Sequence, residues 1–454
     1  MRIAKIRFTR LMMLCLITTG HASADEVPLE AIASLTAGLS EQVIAWRRDF
    51  HQNPELSNRE FRTAGIVAEH LAALGMEVQT GVAHTGVVGV LRGGRPGPVV
   101  LLRADMDGLP VQERNDLPFR SAAVGEYNGE EVPVMHACGH DSHVAMLMAV
   151  ADILAELRDE LPGTVKFVFQ PAEEGAPKGE QGGAELMVAE GVLADPVVDA
   201  AFALHISAVD EAGRIGYAAG PRYASVDDFK IVVHGVQAHG ASPWMGVDSV
   251  VVAAQIVNAL QTIVSRNLEL TEQPAIVTVG SIHGGVRSNI IPEQVELVGT
   301  IRALDTGMRD LIHRRLRDIA AGVAQSMGAT VDVHIPWSNS YPVTINDPEL
   351  ATEMLPVLEQ VAGPAGVEQV KPITGAEDFS FFANEVPGFY ISLGGKPPGV
   401  PLSEVAAHHT PDFYIDESGF DVGVRAMAAM AWQYLLNHQQ HAGDAGEGSP
   451  GDGR

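Results

Sequence analysis

The chain has 454 residues and only two cysteines, Cys15 and Cys138. That scarcity excludes a disulfide-stapled scaffold. Basic residues are also few: 30 Lys and Arg stand against 57 Asp and Glu, for a formal charge of −27. A protein this acidic repels phosphate backbones, so no nucleic-acid partner is expected. Beyond residue 24 no apolar run reaches the ~20 residues that a bilayer-spanning helix needs, so no membrane partner is expected for the mature protein. What remains is an ordinary globular composition, 46% hydrophobic and 19% charged. At this length one simple core does not suffice, and two or three domains are expected.

Residues 1–24 read as a secretory signal peptide. Arg2, Lys5, Arg7 and Arg10 form a basic start, residues 11–17 a short apolar centre, and Ala22-Ser23-Ala24 a small-x-small cleavage site. Cleavage there makes the protein secreted or periplasmic and leaves Cys138 as its only thiol. The competing reading is a short uncleaved anchor. A lone thiol in an oxidising compartment invites oxidation unless burial or a metal restrains it. Residues 440–454 turn to Gly, Asp, Glu, Ser and Pro and read as a disordered tail.

The apolar spacing of 31–50 and 63–74 predicts helices, the second closed by Gly75. Near-continuous apolar runs at 87–91, 99–102 and 165–169 predict strands buried on both faces, with a helix over 144–157. Strands alternating with helices imply an α/β domain with a mixed sheet and helices on both faces. From Tyr217 the order becomes strand 228–234, helix 247–267, strand 275–282, strand 294–303, helix 308–327, strand 330–335. That is the βαββαβ order of ferredoxin-like domains, whose two ends emerge together. The predicted organisation is therefore a catalytic α/β domain in two parts, 25–216 and 337–439, with an inserted domain at 217–336.

The densest chemistry lies in Met135-His136-Ala137-Cys138-Gly139-His140-Asp141-Ser142-His143, just before a predicted helix. One glycine separates Cys138 from His140, so a bent backbone can aim thiolate and imidazole at one point. That pair favours zinc, with other divalent transition metals open. Asp141 can cap the helix or accept a hydrogen bond from a ligating histidine. In Gln170-Pro171-Ala172-Glu173-Glu174, Pro171 stops a strand and two carboxylates follow, on the edge where open α/β sheets bind ligands. One can hold a metal while the other takes a proton from water. Alone, the pair reads as a solvated acidic turn. His205 closes another apolar run and His408-His409 precede the final helix; singly, each reads as structural. Asp105 and Asp107, two apart on a strand, face the same side. Ligand-type groups at four strand ends on one edge of one sheet point to a metal hydrolase.

This pattern resembles the M20 metallopeptidase family, specifically its amidohydrolase branch of hippurate hydrolases, auxin-conjugate hydrolases and N-acyl-amino-acid deacylases. The resemblance runs from Trp46-Arg47-Arg48-Asp49-Phe50-His51-Gln52-Asn53-Pro54-Glu55 to His409. Its most specific segments are Met135 to Asp141 and Gln170 to Glu174. It implies a two-metal catalytic domain with an inserted ferredoxin-like lid. It implies Cys138, His140, Glu174, His205 and His409 as metal ligands and Glu173 as general base and subsequent acid. Peptidase relatives carry a ligating histidine where Asp105 stands, so Asp105 is left out of the ligand set and Asp107 is read as supporting a ligand from behind. On the lid, His239 is implied to reach a substrate carbonyl, often in a partner subunit's site, with Asn289 and Arg302 holding the substrate's free carboxylate. Residues 375–379 resemble a substrate-cleft loop. Two departures stand out: Val236, Gln237 and Ala238 replace the usual lysine and glycine near the lid histidine, and Ala208 replaces a common proline, which is expected to alter only a loop.

The expected activity is hydrolysis of the amide bond of N-acyl or aryl-acyl amino acids, using two divalent ions, zinc or manganese, with cobalt and nickel also open. An exopeptidase acting on short peptides, as dipeptidase or carboxypeptidase, is the alternative. A metal-free cysteine hydrolase built on Cys138 and His140 and a non-catalytic metal-binding protein are the readings from other classes. The lid's exposed sheet edge can pair with a second copy, so a homodimer is an open expectation.

Overall fold

A computed structural model describes residues 26–439. The signal peptide and the tail read from the sequence lie outside the described residues.

The chain opens with helices Leu29–Gln52 and Phe61–Ala73. Gly75 follows with φ of 73°, the left-handed conformation a glycine beyond a helix end supplies. The main sheet has eight strands in the order 77–82, 86–92, 162–170, 95–105, 200–211, 388–396, 215–217 and 367–369. Its centre, from Pro162–Gln170 through Arg95–Asp105 and Ala200–Glu211 to Gly388–Lys396, is parallel, and antiparallel pairs flank it. Parallel strands end together: Asp105 lies opposite Gln170, and His205 opposite Ser392. The carboxyl edge of the sheet is thereby loaded with polar groups.

Successive residues on these strands feed different cores. Val100 and Leu102 pack with helices His140–Glu156, Pro348–Ala362 and Phe420–Asn437. Leu101 packs on the other face with Ala184, Met187 and Phe382. That two-sided burial is why the strands read as unbroken apolar runs.

A second sheet orders its strands as Ala275–Gly284, Gln294–Ala303, Ser225–His234 and Thr330–His334, all antiparallel. In Gln294–Ala303 alternate residues are buried. The buried face meets helices Ser249–Thr262 and Thr306–Ser326 in a separate core. Asp248 and Asp305 cap these two helices by accepting backbone N–H bonds. The predicted helix 247–267 widens over its last turn, Ile263–Asn267. Together Ser249–Asn267 is long and apolar enough to cross a membrane by length and composition, which corrects the expectation that no later run reaches that length. Isolated Gln and Asn residues interrupt the run without lowering its mean hydropathy enough. Its inner face is buried against the sheet through Val252, Ala253, Ile256 and Leu260.

First and last strands of this unit lie side by side, so the chain leaves close to where it entered. Strand Ser340–Tyr341 then pairs with Val226 and Asp227. Buried Asp227 accepts from Arg309 Nε and Nη2, both at 2.7 Å, and from Ser340 Oγ at 2.8 Å, and His313 Nε2 lies 3.1 Å away. Burial pushes its carboxyl up, but these donors outweigh it and hold the pKa at about 2. Asp227→Asn is expected to cost about 3 kcal/mol, the low end for a broken buried pair because Arg309 keeps some exposure. The wild-type contribution is complete above pH ~4, the unfolded-state value, and fades as pH falls towards 2. Thermal unfolding of both proteins across that range checks it; equal midpoints at pH 6 would contradict the assignment.

Candidate metal centre and substrate cleft

Asp107 organises the edge. Its Oδ1 accepts from His140 Nδ1 at 3.2 Å and Glu173 N at 3.2 Å. Its Oδ2 accepts from Ser57 Oγ at 2.8 Å and Glu174 N at 3.0 Å. Burial pushes this carboxyl up, but the donors, His140 first, hold it below the ordinary value. One buried acid therefore positions a histidine and both glutamates. His140 donates through Nδ1, and its Nε2 is buried without a hydrogen-bond partner among the described residues.

Gly139 has φ of 100°, and a Cβ there would sit 2.3 Å from Ile206 Cγ2. Only glycine allows the bend that turns Cys138 and His140 inward. Cys138 Sγ lies 3.3 Å from His205 Nε2 and 3.2 Å from His409 Nε2. His205 donates through Nδ1 to Ile206 O at 2.6 Å, which leaves Nε2 bare. His409 Nε2 lies 3.1 Å from Glu174 Oε1, another buried atom without a hydrogen-bond partner among the described residues. His409 itself has φ of 62°, a strained backbone for a histidine.

The five expected ligands thus converge. Cys138, His140 and His205 form one group, and Cys138, Glu174 and His409 another, with ligand atoms in each within 4.8 Å of one another. The sulfur belongs to both. Bare imidazole nitrogens, a thiol and an unpartnered carboxylate oxygen facing one point suit divalent cations of zinc-like character. Burial first, then the acids Glu174, Glu173 and Asp105, push the Cys138 thiol well above its ordinary value.

Asp105 lies behind the cluster, its Oδ1 3.8 Å from His140 Nδ1, and forms a further group of possible ligands with His140 and His143. It accepts from His143 Nδ1 at 2.6 Å and Arg103 Nη1 at 2.5 Å. Arg103 also donates to Glu377 and Asp378, each at 2.9 Å. Residues 375–379 do line the cleft through Ala376 and Glu377. Their two acids, however, are buried on Arg103, and Tyr390 Oη donates to Glu377 at 2.5 Å. Glu173 stands beside these acids. Burial, then Glu377, Glu174 and Asp378, raise its carboxyl well above the ordinary range.

Asp141 departs from expectation. It accepts from His51 Nδ1 at 2.7 Å and pairs with Arg47 Nε at 3.0 Å, not with a ligating ring. Nor does it cap the helix, whose N-cap position is Gly139 without a side-chain cap bond. One step along a helix rotates a side chain by about 100°, so Asp141 faces helix Leu29–Gln52 while His140 faces the cluster.

The cleft is walled by Cys138, Glu173, Glu174, His205 and His409 on one side and by Val226, Arg302, Asn339 and Tyr341 on the other. Arg302 Nη1 donates to Thr300 Oγ1 at 2.5 Å and Ile301 O at 2.9 Å. No acid forms an ion pair with it among the described residues. His239 and Asn289 are exposed neighbours elsewhere, since Ala238–His239 pairs with Ile290–Ile291 and Gly240 N donates to Asn289 O at 2.8 Å. They do not line this cleft. Asn289 precedes strand Gln294–Ala303 and Arg302 lies near its far end, and the stretch from Gln294 to Arg302 alone spans roughly 25 Å. The expected Asn289–Arg302 carboxylate clamp is therefore not formed within one protomer. Sequence reasoning missed Tyr341, whose Oη donates to Glu173 O at 2.9 Å; nothing in its local pattern marks it.

Residues 101–433 match the model of Peptidase family M20/M25/M40. Thermostable carboxypeptidase 2 of Saccharolobus solfataricus is 39% identical over 87% of this chain and 96% of its own length. IAA-amino acid hydrolase ILR1-like 2 of Arabidopsis thaliana is 36% identical over 87% of each chain. The crystal structure of a Bacillus subtilis protein described as a dinuclear metal binding peptidase is 32% identical, with a TM-score of 0.72 over 88% of this chain and 99% of that one. The sheet edge, the converging ligands and these likenesses agree: the chain belongs to the M20/M25/M40 peptidase family and is a metal-dependent hydrolase of C–N amide bonds.

Proposed function

We propose that the protein cleaves N-acyl amino acids at the amide bond, using two divalent ions held by Cys138, His140, Glu174, His205 and His409. The observation that carries the substrate class is Arg302. Its guanidinium shares a cleft with Glu173 and has no acid partner among the described residues. A guanidinium so placed suits the free carboxylate of an amino acid.

When bound, the ions would polarise the scissile carbonyl and lower the pKa of water towards neutrality. Glu173 takes the proton of the attacking water on its carboxylate and returns it to the departing nitrogen. Asp107 holds the Glu173 and Glu174 amides while this happens. Zinc is the ion a thiolate–imidazole set favours, with manganese, cobalt and nickel as competitors that metal analysis would separate. His239 and Asn289 sit too far from Arg302 to serve the same substrate from one protomer. We therefore place them in the cleft of a second copy, in a homodimer formed through the lid.

The name of the Saccharolobus relative favours a second reading, a carboxypeptidase, whose substrates also present a free carboxylate. A panel of N-acetyl amino acids, hippurate and dipeptides, each with its carboxylate-free counterpart, separates the two. N-acyl amino acids are expected to turn over fastest, and their decarboxylated counterparts hardly at all. Arg302→Met is expected to raise KM about 10- to 100-fold, the worth of a charge-assisted hydrogen bond, with a smaller change in kcat. Faster turnover of dipeptides would put the exopeptidase in its place.

A further inference from the structure

Strand Ala200–Glu211 outruns its neighbour. Arg95–Asp105 pairs with it only as far as Arg103 opposite Ala203. Ala201 N donates to Pro387 O, on the side of strand Gly388–Lys396, so the even-numbered amides face the other way. Ile206 and Ala208 have therefore lost their strand partner, and a buried amide must find another acceptor. Two imidazoles supply it: Ile206 N donates to His143 Nε2 at 2.8 Å, and Ala208 N to His408 Nε2 at 3.0 Å.

A backbone amide only donates, so each Nε2 presents a lone pair and each ring carries its proton on Nδ1. In His143 that proton meets Asp105 at 2.6 Å. In His408 the Nδ1 atom lies 3.6 Å from Cys138 Sγ. A protonated ring nitrogen is a donor and not a metal ligand. Phe413, at 4.8 Å between ring centroids, backs the imidazole.

We propose that His408 is a positioning residue of the metal centre, whose Nδ1–H, oriented by the Ala208 amide, donates to the Cys138 sulfur and draws charge from it. The inference rests on the reading of Cys138 as a ligand. Ala208 and His408 then work as a pair, because a proline at 208 would have no N–H to give. The departure expected to alter only a loop instead supplies the donor that sets the tautomer beside the sulfur.

Cobalt(II) substitution of the full protein tests this. In the wild type a sulfur-to-cobalt absorption band reports Cys138 as a ligand, and its absence would overturn the reading of the centre. With that band present, His408→Leu and Ala208→Pro are expected to move it to lower energy, because a thiolate relieved of a hydrogen bond releases charge more readily. Zinc affinity, measured against a chromophoric chelator, is expected to fall about tenfold in both. His408→Asn can keep an N–H near the sulfur and is expected to hold the band near its wild-type position. His408→Gln can keep only the acceptor for Ala208 N and is expected to behave as the Leu variant. A band unmoved in both the Leu and Gln variants overturns this inference alone. Loss of one cobalt equivalent in His408→Leu also overturns it, by making the ring a ligand.

Discussion

Replacing Glu173 by Gln is expected to lower kcat on the order of 10³- to 10⁴-fold, the upper range for losing a general base, with metal content and KM close to wild type. The side chain is well placed for so selective an effect. Its backbone is held at both ends, the N–H by Asp107 at 3.2 Å and the carbonyl by Tyr341 Oη at 2.9 Å. Its carboxylate accepts no hydrogen bond among the described residues, and Oε2 lies 3.8 Å from His140 Nε2. Gln keeps the shape and removes the basic oxygen. Burial and the neighbouring acids favour the protonated carboxyl, and bound cations oppose that by favouring the anion. The acidic limb of the wild-type kcat/KM profile should therefore report a carboxyl titrating above its ordinary value, and the Gln variant should lose that limb. Activity within tenfold of wild type, with both ions in place, would remove Glu173 from the role.

The parts of this architecture that were legible in the sequence share a physical cause. Strands such as Pro162–Gln170 announce themselves because both faces are buried. The helices expected at 247–267 and 308–327 begin within two residues of the observed starts, where Asp248 and Asp305 satisfy free amides. Cys138, His140, Glu173 and Glu174 cluster along the chain as well as in space, so their chemistry shows in one dimension. His205 and His409 do not: singly each reads as structural, and only the family resemblance makes them ligands. No local pattern separates His408 from His409. What separates them is an αL backbone at His409 and a distant amide at Ala208, both products of tertiary structure. Asp141 was misplaced for a rotational reason, one residue along a helix being enough to turn it to another neighbour. Asn289 and Arg302 were joined by the family resemblance alone, whereas an extended strand holds them apart.

Chelation of the ions is expected to abolish turnover, at least a hundredfold and reversibly on adding zinc, and the surroundings of Cys138 explain why no thiol chemistry should remain. A nucleophilic cysteine needs a setting that lowers its pKa, and the helix start after Gly139 does not supply enough of one. Here burial and the acids Glu174, Glu173 and Asp105 all raise it, and burial keeps the adjacent His205 neutral. Without a metal, Cys138 is a protonated, buried thiol, so the chelated protein should resist alkylation at neutral pH. The same acids invert their role once cations arrive, since negative charge that disfavours a thiolate alone favours the cation that binds it. Metal binding must then displace the thiol proton. Apparent affinity should fall about tenfold per pH unit on acidification for each proton displaced, the direction set by a ligand held protonated in the free protein. Zinc competition titrations between pH 6 and 8 measure that slope, and proton release follows from calorimetry in buffers of different ionisation enthalpy. Activity that survives exhaustive chelation but is lost on alkylation would instead make Cys138 the nucleophile of a thiol hydrolase.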